Sequence, residues 1–246
     1  MILVSMALLA FGAADLVRWT PERVGWSRGL VAAGVGVLAP VLLALLSGQP
    51  ALLVALSVVG VAVVVTAWVA TEHQPLVSHG PGWPLALVAL VLLLLFSLSG
   101  LGEPASGPLQ NWYSGLGFPL SDVVPLDQFV LAVCAGVFLL ASANRVVRLV
   151  LEAAGTPVLQ GETVLKGGRL LGPMERLLVA ALVLSGQLTG AAVVVAAKGL
   201  LRLPEIRSKK QARAGLDDHV AEYFLIGTLA SWLVAVALAA LVAVSG

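Results

Sequence analysis

"GGRLLGPMERLLVAALVLSGQLTGAAVVVAAKGLLRLPEIRSKK", residues 167 to 210, holds an uncharged run from Leu177 to Ala197 with Lys and Arg clustered at both ends. As a helix rising 1.5 Å per residue that run is about 31 Å long, close to the ~30 Å hydrocarbon core of a bilayer. A single crossing would put the two basic ends on opposite sides, against the tendency of Lys and Arg to stay cytoplasmic. The other reading is a re-entrant hairpin with its tip at "SGQLTG". Its arms, Leu177 to Leu184 and Ala191 to Ala197, would each be only about 12 Å deep, and its polar tip would have to be buried in protein. Length favours the single span, with Gly186 and Gly190 at the small-xxx-small spacing that lets helices approach closely.

The rest of the chain has the same character. Hydrophobic residues make up 59% and charged residues 11%, with a mean hydropathy of +1.02, whereas soluble domains are about half apolar and about a quarter charged. This composition indicates an integral membrane protein. Long runs of Leu, Val and Ala, in place of short alternating segments, imply helices and not a barrel. The expected fold is an all-α, polytopic transmembrane bundle of six or seven helices in one domain, 1–246. Its apolar segments lie at about 1–17, 29–47, 51–70, 83–99, 127–152, 169–202 and 217–244.

The first segment is short, carries Asp15 near its exit and is the least certain span. It lacks the basic n-region of a secretory signal and reads as retained. Between the fourth and fifth segments, the stretch from Gly100 to Ser121 has no Lys or Arg, carries Trp112 and Tyr113, and reads as an external loop. The lone Cys134 reads as a small buried hydrophobe.

All 14 basic residues fall in three zones, 18 to 28, 145 to 176 and 198 to 213. With Arg18, Arg23 and Arg28 in the cytoplasm, alternation puts Arg145, Arg148, Lys166 and Arg169 inside as well. A single crossing by residues 169–202 then sends Lys198, Arg202, Arg207, Lys209, Lys210 and Arg213 outside. Only the re-entrant hairpin keeps every basic residue inside. The expected location is the cytoplasmic membrane, crossed several times.

Charges at membrane depth are the first candidates for function. Asn144, Arg148 and Glu152 form an i, i+4, i+8 stripe with Arg145 alongside, a pattern suited to an anion or headgroup site or to snorkelling cations with a local ion pair. Glu175 suits the first turn of its helix, and Arg176 is expected to pair by depth with Asp127 or Glu222. Lys198 and Arg202 share a face, and "RSKKQAR" after them suits anionic headgroups. Glu222 and Tyr223 open the last segment, followed by Gly227 and Ser231 at helix-packing spacing. His73, His79 and His219 are scattered and lack metal-site spacing, so no metal or other cofactor is expected. There is no phosphate-cradling loop or nucleophile elbow, and the basic loop lacks the aromatics of a nucleic-acid footprint.

The second half, through "SANRVVRLVL", "KGGRLLGPMERLLVAALVLSGQLTGAAVVVAAKGLLRLPEI" and "AEYFLIGTLAS", resembles a bacterial polytopic membrane-protein family, domain of unknown function 3307. The likeness covers about residues 143 to 235. Family members carry an Asp-Phe after the first apolar run and His residues in the N-terminal half. Here Asp15 matches, Leu16 replaces the aromatic residue, and those histidines are not evident. The resemblance implies that functional residues cluster at Glu175, Arg176, Lys198, Arg202, Glu222 and Tyr223, without naming their task.

The expected function is non-enzymatic: charged helix ends binding a partner protein, a lipid headgroup or a small anion, in contact with the bilayer. A small-solute transporter or channel is the alternative, because interrupted helices are where transporters build sites. An intramembrane enzyme comes third.

Overall fold

A computed structural model describes residues 1–18, 26–70, 82–117, 123–155, 168–212 and 217–246, with backbone alone at 26, 101, 168–169, 201–212 and 217–224. It is all-helical among the described residues. Ten α-helices and one 3-10 turn, Ser99–Leu101, account for nearly all of them. Three helices are long and apolar enough to cross a membrane: Ser27–Leu46, Ala51–Ala70 and Leu225–Val244. The bent pair Leu126–Ala141 and Ala143–Ala153 would make a fourth, and Ile2–Val17, Gly82–Ser97 and Leu188–Leu200 are shorter apolar helices.

The least certain segment of the sequence is the most enclosed element of the fold. Helix α1, Ile2–Val17, buries every residue from Ile2 to Asp15 except Leu9, as a helix apolar on all sides must. It packs against α2 (Trp26–Leu46), α3 (Ala51–Ala70), α4 (Gly82–Ser97) and α6 (Leu126–Ala141). Sixteen residues give only about 24 Å. That is short of the hydrocarbon core, but α1 is sheathed by other helices and does not have to match lipid. Its approach to α6 is close because residue 12 is glycine: a Cβ there would sit 2.8 Å from Val137 Cγ1 and 3.1 Å from the Phe138 amide nitrogen.

One end of the bundle is free of Lys and Arg, and backbone and amide groups tie it together. Ser106 N–H donates to the Ser47 carbonyl at 3.0 Å, Gln49 Nε2 to the Glu103 carbonyl at 2.9 Å, and Gln128 Nε2 to the Val242 carbonyl at 3.1 Å. Asp127 accepts from the Ala105 amide at 3.2 Å. The expected loop between segments four and five is partly helical here. Helix α5, Gly107–Gly115, buries Tyr113, whose hydroxyl donates to the Val124 carbonyl at 2.9 Å, while Trp112 stays exposed.

Two expectations are corrected. The fifth segment is two helices, α6 and α7 (Ala143–Ala153), bent by 54° at Ser142. Residues 169–202 do not form one span either: α8 (Gly168–Leu184) and α9 (Leu188–Ala212) are separate helices. Gly186 takes φ +73°, Gln187 N–H bonds back to the Leu182 carbonyl at 2.8 Å and Gly186 N–H to Val183 at 3.0 Å. This is the Schellman arrangement that ends a helix at a left-handed glycine. The chain then turns back, because Lys198 Nζ on α9 meets Glu175 Oε2 on α8. A straight helix would hold residues 175 and 198 about 34 Å apart. Length favoured a span only because counting apolar residues takes no account of a glycine that stops the helix. Helix α10, Asp217–Val244, packs on α6, α7 and α8 and closes the bundle.

Replacing Gly12 tests the close α1–α6 approach. Gly12→Leu is expected to destabilise by about 1–3 kcal/mol or more through overpacking, lowering the thermal unfolding midpoint in detergent. Gly34→Leu, where a Cβ meets nothing within 4 Å, leaves the midpoint unchanged.

Candidate functional site

At the basic end, consecutive residues of α7 reach in different directions, since a helix turns about 100° per residue. Arg145 points toward α1 and α3. Its Nη2 donates to the Trp68 carbonyl at 2.8 Å, its guanidinium carbon lies 4.0 Å from the Trp68 ring centroid, and its Nη1 is 3.5 Å from Asp15 Oδ1. Trp68 Nε1 donates to Asp15 Oδ2 at 3.0 Å, and Arg18 pairs with the other oxygen of Asp15. Each member follows from its helix. Asp15 is in the last turn of α1, while the Trp68 carbonyl belongs to the last turn of α3, where carbonyls lack helical partners and favour a cation. Arg145 supplies both the donor and the charge. Below this group Trp68 meets Phe11 edge-on at 5.4 Å, and Phe11 meets Phe138 at 6.3 Å, so the ion cluster rests on an aromatic floor.

Asn144 points the other way. Its Oδ1 accepts from Arg176 Nη1 at 2.6 Å, and Arg176 Nε donates to Ser231 Oγ at 2.7 Å. Arg176 is 4% exposed and Ser231 6%, so α7, α8 and α10 are joined through one buried cation. Beside it, the Glu175–Lys198 ion pair closes the mouth of the α8–α9 hairpin, with each side chain about one-fifth exposed.

This arrangement revises the roles read from the sequence. Among the described side chains, Arg176 donates to Asn144 and Ser231 and not to Asp127, one of its two expected partners. Asp127 caps the opposite end of the bundle, and the Glu222 side chain lies outside the described residues, as do those of Tyr223, Arg202 and His219. His73 and His79 also lie outside them. Ser231, read as a packing residue, is a hydrogen-bond acceptor. Gly186, read the same way, makes the hairpin turn with open space around it, whereas Gly190 and Gly227 lie where a Cβ would touch Leu182 and Leu151 at 3.4 Å. Arg148 is exposed, Glu152 is half-buried, and one Glu152 oxygen has no hydrogen-bond partner among the described residues.

Sequence reasoning passed over Trp68. The available signal was an aromatic residue in the last turn of an apolar span, a position from which a ring can cover a cation.

Chemically, the buried cations are held by protein groups, Arg145 by a carboxylate and a carbonyl and Arg176 by two neutral acceptors, so they join helices, and Arg148 is left as an exposed cation on the same short helix. No group of three or more His, Cys, Asp or Glu able to hold a metal occurs among the described residues. No protein-family model, curated protein or solved structure matches the chain.

Removing one partner of a buried ion pair strands the other, at a typical cost of about 3–5 kcal/mol. Arg145→Leu is therefore expected to lower thermal stability in detergent strongly. Asp15→Leu takes the same carboxylate from both Arg145 and Arg18, so the double variant is expected to lose less than the sum of the two single losses, and additive losses would show that Arg145 and Asp15 do not interact. Asn144→Ala and Ser231→Ala each remove one acceptor from Arg176, at about 1–3 kcal/mol.

Proposed function

We propose that the chain is a multi-pass protein of the cytoplasmic membrane, with α1, α2, α3, α4, the α6–α7 pair and α10 crossing and α8–α9 entering and leaving on one side. Its basic end faces the cytoplasm and binds the anionic headgroups of lipids. The observation that carries this reading is the Glu175–Lys198 pair. It brings the ends of α8 and α9 back together, so the zones 145 to 176 and 198 to 213 lie on one side with 18 to 28, and the charge bias is satisfied throughout. Because Arg145 and Arg176 are committed to protein partners, the headgroup contacts fall to Arg148 and to Arg202, Arg207, Lys209 and Lys210. Each cation near an anionic surface contributes about 1 kcal/mol.

A small-solute transporter is the second reading, favoured by the break at Ser185 to Gln187. Broken helices build transport sites where they face a cavity between helices. Here Leu184 to Thr189 are exposed on the outside of the bundle, which favours the binding reading.

The purified protein, titrated with phosphatidylglycerol and with phosphatidylcholine in detergent, is expected to gain thermal stability with the anionic lipid and to lose that gain in high salt. Replacing Arg148, Arg207, Lys209 and Lys210 with Gln should weaken the anionic-lipid midpoint by roughly tenfold or more. Equal responses to the two lipids contradict the headgroup reading. Solute flux in liposomes that Arg176→Ala abolishes would establish transport in its place.

A further inference from the structure

A cavity of about 360 Å³ lies between α1, α3 and α4. On α3 its wall is an i, i+4, i+7, i+11 stripe of Leu53, Ser57, Gly60 and Val64, opposite residues of α1 between Leu3 and Phe11, residues of α4 between Val91 and Leu95, and Leu98 just past the end of α4. Ser57 is the one polar side chain of the lining, and its hydroxyl already donates to the Val54 carbonyl at 2.8 Å. An occupant therefore meets hydrocarbon along the whole length. Water gains no partners there, and an empty apolar void forfeits the dispersion contacts of its walls.

Shape selects among apolar occupants. The lining of α3 runs from Leu53 to Val65, about 18 Å of helix. Spread over that length, the 360 Å³ open to the centres of water-sized atoms is a channel ~5 Å across for those centres and ~8 Å from wall to wall once their ~1.4 Å radius is added on each side, still narrower than the 10–12 Å diameter of a helix with its side chains. A second copy of the chain or a partner helix does not fit, whereas a single polymethylene chain does. The channel also has an entrance. Both α3 and α4 pack on α1 and scarcely touch each other, so the gap between them opens sideways, where lipid tails lie when these helices are in a bilayer. A Cβ at Gly60 would meet nothing within 4 Å, so the groove is open where α3 has no side chain.

We infer that this groove binds one acyl chain of a bilayer phospholipid, inserted laterally between α3 and α4 against the centre of α1. Each methylene it shelters adds to retention through the same burial that anchors lipidated proteins. The inference needs only that these helices lie in a membrane and is independent of the headgroup proposal.

The test uses full-length protein in detergent, a phosphatidylcholine carrying a diazirine in its acyl chain, and mass spectrometry to map the photo-adducts. Phosphatidylcholine has no net charge, so the result does not depend on the basic end. Adducts are expected on α3, α1 and α4 within the groove. Gly60→Phe should reduce them by roughly tenfold or more, and Gly34→Phe, which places the same bulk on α2 where a Cβ also meets open space, should not. Gly60→Leu serves as a milder variant, and unchanged elution in size-exclusion chromatography checks the fold of each. Adducts scattered over the outer helix faces, adducts that survive in folded Gly60→Phe and Gly60→Leu, or cross-linking between two copies at Gly60 would each overturn the assignment.

Discussion

A guanidinium inside an apolar bundle has to bring its partners with it, because burying an unpaired charge costs more than one helix contact returns. Among the described residues Arg145 and Arg176 are both buried, and both find partners through the first turn of one short helix. Arg145 is itself in that turn and reaches Asp15 and the Trp68 carbonyl, while its neighbour Asn144 reaches Arg176. The 54° bend at Ser142 starts a new helix at that level, so adjacent residues serve opposite halves of the molecule. The half built on α1 and α3 and the half built on α8 and α10 are thereby joined by polar contacts of fixed direction. Apolar packing alone would leave their register loose.

The second constraint is the reversal at Gly186. A left-handed residue is easiest for glycine, and the closing bonds of Gln187 and Gly186 to Leu182 and Val183 satisfy the last carbonyls of α8 without help from outside. Ser185 Oγ bonds back to the Ala181 carbonyl at 2.7 Å, so the tip carries less exposed polarity than its sequence implies. The Glu175–Lys198 pair then holds the arms together near the surface.

The class of the fold was legible in composition: all-α with long apolar helices needed nothing beyond the runs of Leu, Val and Ala. The three helices long and apolar enough to cross a membrane, within α2, α3 and α10, were legible for the same reason. Three features were not. Enclosure of α1 depends on which helices surround it, and Gly12 signals close approach only once Val137 and Phe138 are known to lie opposite. The break at 185 to 187 was visible as "SGQ", but glycine is common in membrane helices, and an apolar count of the right length outweighed it. Partners of Arg176 were sought among acids at matching depth, whereas the acceptors described there are the neutral Asn144 and Ser231. Sequence depth constrains partners poorly when a helix bends and a hairpin folds back. The charge bias, by contrast, pointed to the hairpin before any geometry was known, because no single crossing could reconcile the three basic zones.

A single basic face requires that α8 and α9 begin and end on the same side, and site-directed thiol labelling tests this most directly. With Cys134 replaced by Ser, Gly168→Cys and Ser208→Cys are probed with a membrane-impermeant maleimide in sealed right-side-out and inverted vesicles. Both positions are expected to react in the inverted vesicles and to be protected in the right-side-out ones. Labelling of the two from opposite faces would contradict the hairpin, and with it the placement of the basic residues at one end.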